Sequence, residues 1–180
     1  MSFKSSLTQS TTHILITIAA VLLLGCSLAE KMQWTNEKMV PVHTIASDLR
    51  NATICDVYRV DDSYPNGRQL INGEPLHGYG ILSKPIPLTE RSREELLRVL
   101  TDAKIYIRHS VPPDCLFRPG VAFRFTEGST VGDLLVCFSC NELRYYLNGQ
   151  IVEESYFKSQ ELLKLTKKLF PDDKKLQSLK

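Results

Sequence analysis

The stretch VAFRFTEGSTVGDLLVCFSC, residues 121–140, carries the strongest strand pattern in the chain. Over its first six positions, valine and two phenylalanines alternate with alanine, arginine and threonine, which predicts a strand with one buried face. Glu127-Gly128-Ser129 then predicts a turn. From Asp133 to Cys140 apolar residues occupy both parities, as in an interior strand. The two strands therefore predict the centre of an antiparallel sheet.

Further strands are expected on both sides of this central pair. Asn148-Gly149 lies between two β-rich segments, 143–147 and 150–152, and favours the positive φ angles of a primed hairpin turn. Residues 53–60 are rich in β-branched and aromatic side chains. Weaker patterns predict a glycine-containing strand at 77–86 and a short strand at 106–111.

Two segments predict amphipathic helices. The first spans residues 89–103, where Ser92-x-x-Glu95 matches a capping box and Thr89 is a competing N-cap. The second spans residues 159–170 and places leucines on one face, with lysines near its C-terminal end. These helices supply the apolar surface that a half-buried sheet needs.

The fold class that follows is α+β. We expect an antiparallel sheet of about five or six strands with two amphipathic helices, forming a single small domain over residues 51–171, followed by a polar tail at 172–180. Hydrophobic residues make up 43% of the chain and charged residues 23%, as in ordinary globular proteins. The net charge of +2 shows no basic excess, so we expect no nucleic-acid partner.

The N-terminal segment has a different character. It contains no formally charged residue between Lys4 and Glu30, and Ile14 to Leu24 is an apolar run of 11 residues. This length suits the apolar region of a signal peptide and falls short of the roughly 20 residues that span a bilayer as a helix.

The end of this run, Leu23-Leu24-Gly25-Cys26, resembles the lipobox of bacterial lipoprotein precursors. The resemblance implies cleavage of a signal peptide at residues 1–25 and diacylglyceryl attachment to the Cys26 sulfur. Residues 26–50 would form a lipidated tether, and the membrane would be a partner through this lipid. The implied location is the extracytoplasmic face of the cell envelope. In a Gram-negative host it is the outer membrane, because serine rather than aspartate follows Cys26.

Two other interpretations of this segment remain open. It could be an uncleaved membrane anchor, since residues 5–29 could stretch to a span. It could also be an ordinary cleaved signal, because Ala19 and Ala20 offer small residues to a peptidase.

The other cysteines are Cys55, Cys115, Cys137 and Cys140. Export permits disulfides, and four cysteines allow three pairings. On a straight strand Cys137 and Cys140 lie about 10 Å apart on opposite faces, with Cys140 on the face of Val136. A disulfide needs Cα atoms within about 7 Å. We therefore expect a disulfide from Cys115 to Cys137 or Cys140, with Cys55 free or bonded to the remaining cysteine. The alternative is four small buried apolar side chains.

A metal site is a second hypothesis for these residues. His109, Cys115, Cys137 and Cys140 would supply one imidazole and three thiolates, a set suited to structural zinc. However, a second Cys-x₂-Cys pair is missing, and Cys-x₂-Cys ligands normally lie on a tight turn.

The globular part resembles uncharacterised bacterial secreted proteins that carry two cysteine motifs. Here they are Cys115-x-Phe117-x-Pro119 and Cys137-Phe138-x-Cys140. The resemblance implies no activity, and the sequence contains no recognisable catalytic motif. We expect a non-enzymatic binding or structural module of the envelope that needs no cofactor and has an unknown envelope protein or ligand as partner. The alternative is a metal- or thiol-dependent envelope protein that uses Cys115, Cys137, Cys140 and His109.

Overall fold

The structure is a computed structural model that describes residues 42–63, 75–107 and 114–180. All of these residues belong to one compact unit, Met39–Lys180. Its helices are α1 (Val42–Asn51), α2 (Glu90–Thr101), α3 (Gln160–Leu169) and α4 (Lys174–Ser178), with a 3₁₀ turn at Ala103–Ile105.

The strands are β1 (Ile54–Arg59), β2 (Ile86–Pro87), β3 (Tyr106–Ile107), β4 (Val121–Glu127), β5 (Thr130–Cys137), β6 (Glu142–Leu147) and β7 (Gln150–Phe157). They form one antiparallel sheet in the order β2-β1-β4-β5-β6-β7-β3. The α+β class is confirmed. The sheet has seven strands rather than five or six because two-residue strands close both edges, and the described residues contain four helices rather than two.

The predicted central pair is the hairpin of β4 and β5. Val121 pairs with Val136 at one end and Glu127 with Thr130 at the turn, where Gly128 has a φ of 57°. All of β5 from Gly132 onward is buried, as its apolar pattern predicts. At the next hairpin Asn148 and Gly149 have φ angles of 48° and 83°, which confirms the primed turn.

One face of the sheet, the helix face, packs against the helices. Its strand side chains include Val57, Phe123, Val136 and Tyr145, and all four helices contribute buried residues to the same cluster. The helix residues are Ile45, Leu49, Leu96, Val99, Leu100, Leu162, Leu165 and Leu176. This cluster is the main core of the domain.

The other face, the loop face, packs against connecting segments. Ala122 of β4, Leu135 and Cys137 of β5 and Tyr146 of β6 form a second, smaller cluster there. The covering residues are Val60, Leu76, Phe117 and Cys140. The sheet is therefore covered on both faces near its centre.

The structure corrects the predicted domain boundaries. A tether that extends to residue 50 is wrong, because α1 is part of the core and its Ile45 and Leu49 are 1% and 0% exposed. A purely polar tail from residue 172 is also wrong. Asp173 caps α4, and Leu176 of that helix is 2% exposed in the core.

Two local predictions also change. The N-cap of α2 is Thr89, whose Oγ1 accepts from the Ser92 N–H, so Ser92 is not the cap. Residues 77–86 do not form a continuous strand. The segment contains isolated bridges and a two-residue turn at His77 and Gly78, whose φ angles are 51° and 87°. The first two residues of the segment 106–111 form β3, and its last four lie outside the described residues.

Candidate functional site

The structure contains a disulfide between Cys115 and Cys140, with Cα atoms 5.7 Å apart. This is one of the two bonds expected for Cys115. It joins residues 114–120, here called the braced loop, to the turn that leads from β5 into β6. Cys115 is exposed and Cys140 is buried, so the bond runs from the surface of the braced loop into the loop-face cluster.

Cys137 is a free thiol at the end of β5, and it is fully buried. Its Sγ accepts a hydrogen bond from the backbone N–H of Arg118 at 3.3 Å and lies 3.3 Å from the hydroxyl of Ser139. The braced loop therefore touches Cys137 as well as Cys140.

The assignment of Cys137 and Cys140 to opposite faces is wrong. It assumed a straight strand, but β5 ends at Cys137 and the chain turns over residues 138–141, where Asn141 has a φ of 52°. Both cysteines consequently belong to the loop-face cluster, and Val136 lies in the helix-face core.

Cys55 lies on the helix face, in the core with Val57. It is a buried free thiol, one of the two states expected for it. Burial raises the pKa of its thiol, although the charge of Arg93 acts in the opposite direction. Cys55 packs there as a small apolar side chain, on the face of the sheet opposite the disulfide.

The disulfide removes two of the four ligands that the zinc hypothesis requires. The sulfurs of Cys115 and Cys140 are bonded to each other, and a cysteine sulfur binds zinc only as a thiolate. His109, the proposed imidazole ligand, lies outside the described residues. Across 42–63, 75–107 and 114–180, no group of three or more suitable side chains is arranged to hold a metal ion. With this disulfide formed, the proposed tetrad cannot assemble.

The braced loop is held by an aromatic anchor in addition to its disulfide. Phe117 is 5% exposed and packs edge-on against Tyr79, with ring centroids 6.2 Å apart. The guanidinium of Arg144 lies 4.1 Å from the centre of the Phe117 ring, a cation–π contact. The neighbours of Phe117 in the loop, Leu116 and Arg118, are exposed, and Leu116 retains 48% of its accessible surface.

Acidic residues on two strands hold Arg144 in this position. Its Nε lies 2.8 Å from Glu142 and 3.2 Å from Glu154. Burial alone would lower the pKa of Arg144, but the hydrogen bond to Glu142 and both carboxylates raise it above its ordinary value. The guanidinium is thus a permanent cation beneath the braced loop.

A second polar group occupies the centre of the loop face. Asp133 is only 3% exposed and accepts two hydrogen bonds from the guanidinium of Arg124, at 2.7 and 2.9 Å. These bonds raise the pKa of Arg124, with burial acting against them. The Nε2 of His77 lies 2.8 Å from the same carboxylate. Asp133 therefore has a partner on each side.

His77 reaches Asp133 from the turn that covers this face. Its ring stacks on Tyr146, with centroids 3.7 Å apart and an angle of 17° between the planes. Within the described residues, no buried side-chain nitrogen or oxygen lacks a hydrogen-bond partner. The geometry thus supports a clamp that holds the 76–79 turn on the sheet.

Sequence reasoning missed this clamp, although one signal was present. Asp133 precedes the apolar run Leu134–Cys137 in a segment that predicts an interior strand. A buried carboxylate needs a cationic or hydrogen-bonding partner. Arg124 lies directly opposite Asp133 in the β4–β5 register, so the hairpin prediction could have identified one partner. The other partner, His77, is 56 positions away from Asp133 in the sequence, and no local pattern connects the two.

Cys26, the predicted lipid attachment site, lies outside the described residues. None of the helices in the described part of the chain combines the length and the apolar character that crossing a bilayer requires. Comparisons of the chain with protein-family models, with curated proteins and with solved structures find no match.

Proposed function

We propose that this chain is a lipid-anchored protein of the cell envelope, whose α+β domain binds an envelope partner and catalyses no reaction. Lipid on Cys26 would hold the protein to the membrane, on the outer membrane in a Gram-negative host. The domain would then work at the extracytoplasmic face of that membrane.

The disulfide between Cys115 and Cys140 is the observation that carries this proposal. Structural disulfides persist in oxidising compartments such as the bacterial periplasm and are rare in the cytosol. The bond lies far along the chain from the lipobox-like segment, so it supports export independently of that segment. Two unrelated features, one at the N-terminus and one in the domain, thus favour the same compartment.

The braced loop supports a binding role. Its backbone is fixed on the two sides of Leu116, by the disulfide at Cys115 and by the buried ring of Phe117. A loop that is already ordered loses little conformational entropy when a partner binds. Exposed Leu116 can enter an apolar pocket, and Arg118 offers a charge beside it. We propose this loop as the contact surface.

Metabolic labelling tests the anchor. Cells that express the full chain are fed an alkyne-tagged fatty acid, and the purified protein is examined by in-gel fluorescence and by mass spectrometry of its N-terminus. We expect label on the unaltered chain and on Ser27→Ala, none on Cys26→Ser, and a mature chain that begins at Cys26. An unmodified Cys26 within an intact precursor would refute the anchor.

A matched pair of surface variants tests the binding surface. Leu116 and Ile151 are similarly exposed, at 48% and 50%, but Ile151 lies on β7 beside the Asn148-Gly149 turn, at the opposite end of β6 from the turn that carries Cys140. After crosslinking in intact cells, a specific adduct should be lost in Leu116→Asp and kept in Ile151→Asp. Equal adducts in both variants, with unchanged thermal stability, would reject the braced loop as the contact.

A further inference from the structure

Three cysteines meet at the braced loop, and only two of them are bonded. The carbonyl oxygen of Leu116 lies 3.1 Å from Cys140 Sγ, and the N–H of Arg118 donates to Cys137 Sγ at 3.3 Å. Leu116 and Arg118 are two positions apart, and two residues of extended chain span about 7 Å at most. One short segment next to Cys115 therefore contacts both possible partner sulfurs.

The two candidate partners differ in how the chain holds them. Cys137 ends a strand at the centre of the sheet, whereas Cys140 lies in the turn over residues 138–141. Cys115 is in the braced loop, which contains no helix or strand. The braced loop and this turn both lie outside the strand pairings, so a transient local displacement of the loop can bring Cys115 to Cys137 with the sheet ladder intact.

We propose that Cys115, Cys137 and Cys140 form a thiol–disulfide exchange site, in which Cys137 competes with Cys140 for the sulfur of Cys115 and small thiols enter at exposed Cys115. In the internal step a transient local opening of the braced loop admits water, to which the Cys137 thiol loses its proton. The resulting thiolate attacks Cys115 Sγ, the Cys115–Cys140 bond breaks, and its electron pair remains on Cys140 Sγ, which takes up a proton. One disulfide and one thiol are present before and after, so no oxidant or reductant is consumed.

A small thiol reaches the same site from outside. Its thiolate attacks Cys115 Sγ, and the Cys140 thiolate leaves, which produces a mixed disulfide at Cys115. Attack by Cys137 or Cys140 on Cys115 Sγ then expels the small thiol. Since Cys137 is fully buried, exposed Cys115 is the point of entry. The exchange moves the bonding partner of Cys115 from Cys140 to Cys137, three positions earlier in the chain. The braced loop is then held at a different point of the sheet, which changes the position of exposed Leu116.

Disulfide mapping of the full chain in variants tests this site. Each protein is equilibrated with about 0.1 mM reduced and about 1 mM oxidised glutathione, so that the reduced form stays below the millimolar effective concentration of a tethered thiol, and is then quenched with N-ethylmaleimide. In Cys140→Ser we expect most Cys115 bonded to Cys137. In the double variant Cys137→Ser/Cys140→Ser we expect most Cys115 to carry glutathione. The control Cys55→Ser, altered on the opposite face of the sheet, should keep the original bond.

A measurement on the unaltered protein covers the case in which these variants do not fold. Chymotryptic cleavage after Phe138 separates Cys137 from Cys140, so both isomers can be quantified in the same sample. We expect a minor Cys115–Cys137 isomer whose rate of appearance rises with glutathione concentration. If no such isomer forms, or if folded Cys140→Ser carries as much glutathione at Cys115 as the double variant does, the exchange site is refuted.

Discussion

The close packing of Gly132 against Tyr145 leads to a sharp prediction about stability. A Cβ added at Gly132 would lie 2.0 Å from Tyr145 Oη, 2.8 Å from Cζ and 3.0 Å from Cε2. Tyr145 is fully buried, and its hydroxyl donates to Asp48 of α1. Gly132→Ala must therefore displace a ring that connects the sheet to this helix.

The cost has two parts. Inserting a methyl group into a well-packed core costs roughly 1–3 kcal/mol. Losing a hydrogen bond to a charged group costs about 1.5–3 kcal/mol. Gly132→Ala should therefore lower the free energy of unfolding by about 2.5–6 kcal/mol. Tyr145→Phe, which loses only the hydroxyl, should lower it by about 1.5–3 kcal/mol.

Urea denaturation followed by far-ultraviolet circular dichroism measures these differences. Gly128→Ala is the matched control, because Gly128 has a φ of 57° and nothing within 4 Å of an added Cβ, so only backbone strain of about 1 kcal/mol is expected. In a double-mutant cycle, Tyr145→Phe should partly rescue Gly132→Ala, since the atom in closest conflict is gone. If Gly132→Ala costs no more than Gly128→Ala, the packing argument is refuted.

Three further predictions concern buried contacts. Leu49→Ala should lower the free energy of unfolding by about 3 kcal/mol, whereas Ser47→Ala on the exposed side of the same helix should change it by less than about 0.5 kcal/mol in urea titrations. Asp133→Ala should cost about 3 kcal/mol by the same measurement, because it leaves a cation without its buried partner. Burial alone would raise the pKa of Asp173, but the hydrogen bond from Arg59 lowers it below the ordinary carboxyl value of 3.8. The Asp173 carboxylate therefore stabilises the fold fully above pH 3.8, and this stabilisation is lost as the pH falls through the lower pKa of the folded state. Asp173→Asn should flatten thermal stability across that acid range, and an unchanged profile would contradict this assignment.

The sheet centre could be predicted because its signals are local. Three signals depend on neighbouring residues alone: the alternation of apolar and other side chains in β4, the burial of β5 from Gly132 onward, and the Asn148-Gly149 turn. The helices α2 and α3 were predictable for the same reason, since each has a continuous apolar face. The local pattern of apolar residues is sufficient to predict a helix or strand where tertiary packing favours the same structure.

The first helix could not be recognised in the same way. Among its residues 44–51 the buried positions are Ile45, Ala46 and Leu49, and the segment follows residues with mixed charges and no clean periodicity. Short helices owe most of their stability to tertiary packing rather than to propensity. Here that packing includes the Tyr145 hydroxyl on Asp48, a contact across 97 residues. No window of the sequence contains both partners.

The cysteines show how a single turn changes the chemistry of a site. The parity argument for Cys137 and Cys140 was geometrically sound for a strand, and it failed because β5 ends at Cys137. The following turn brings Cys140 back to the face of Cys137, and both then lie beneath the loop that carries Cys115. On a straight strand only one of them could have approached that loop. The competition proposed for the Cys115 sulfur therefore depends on this turn, so a variant that extends β5 through residue 140 should leave a single possible partner.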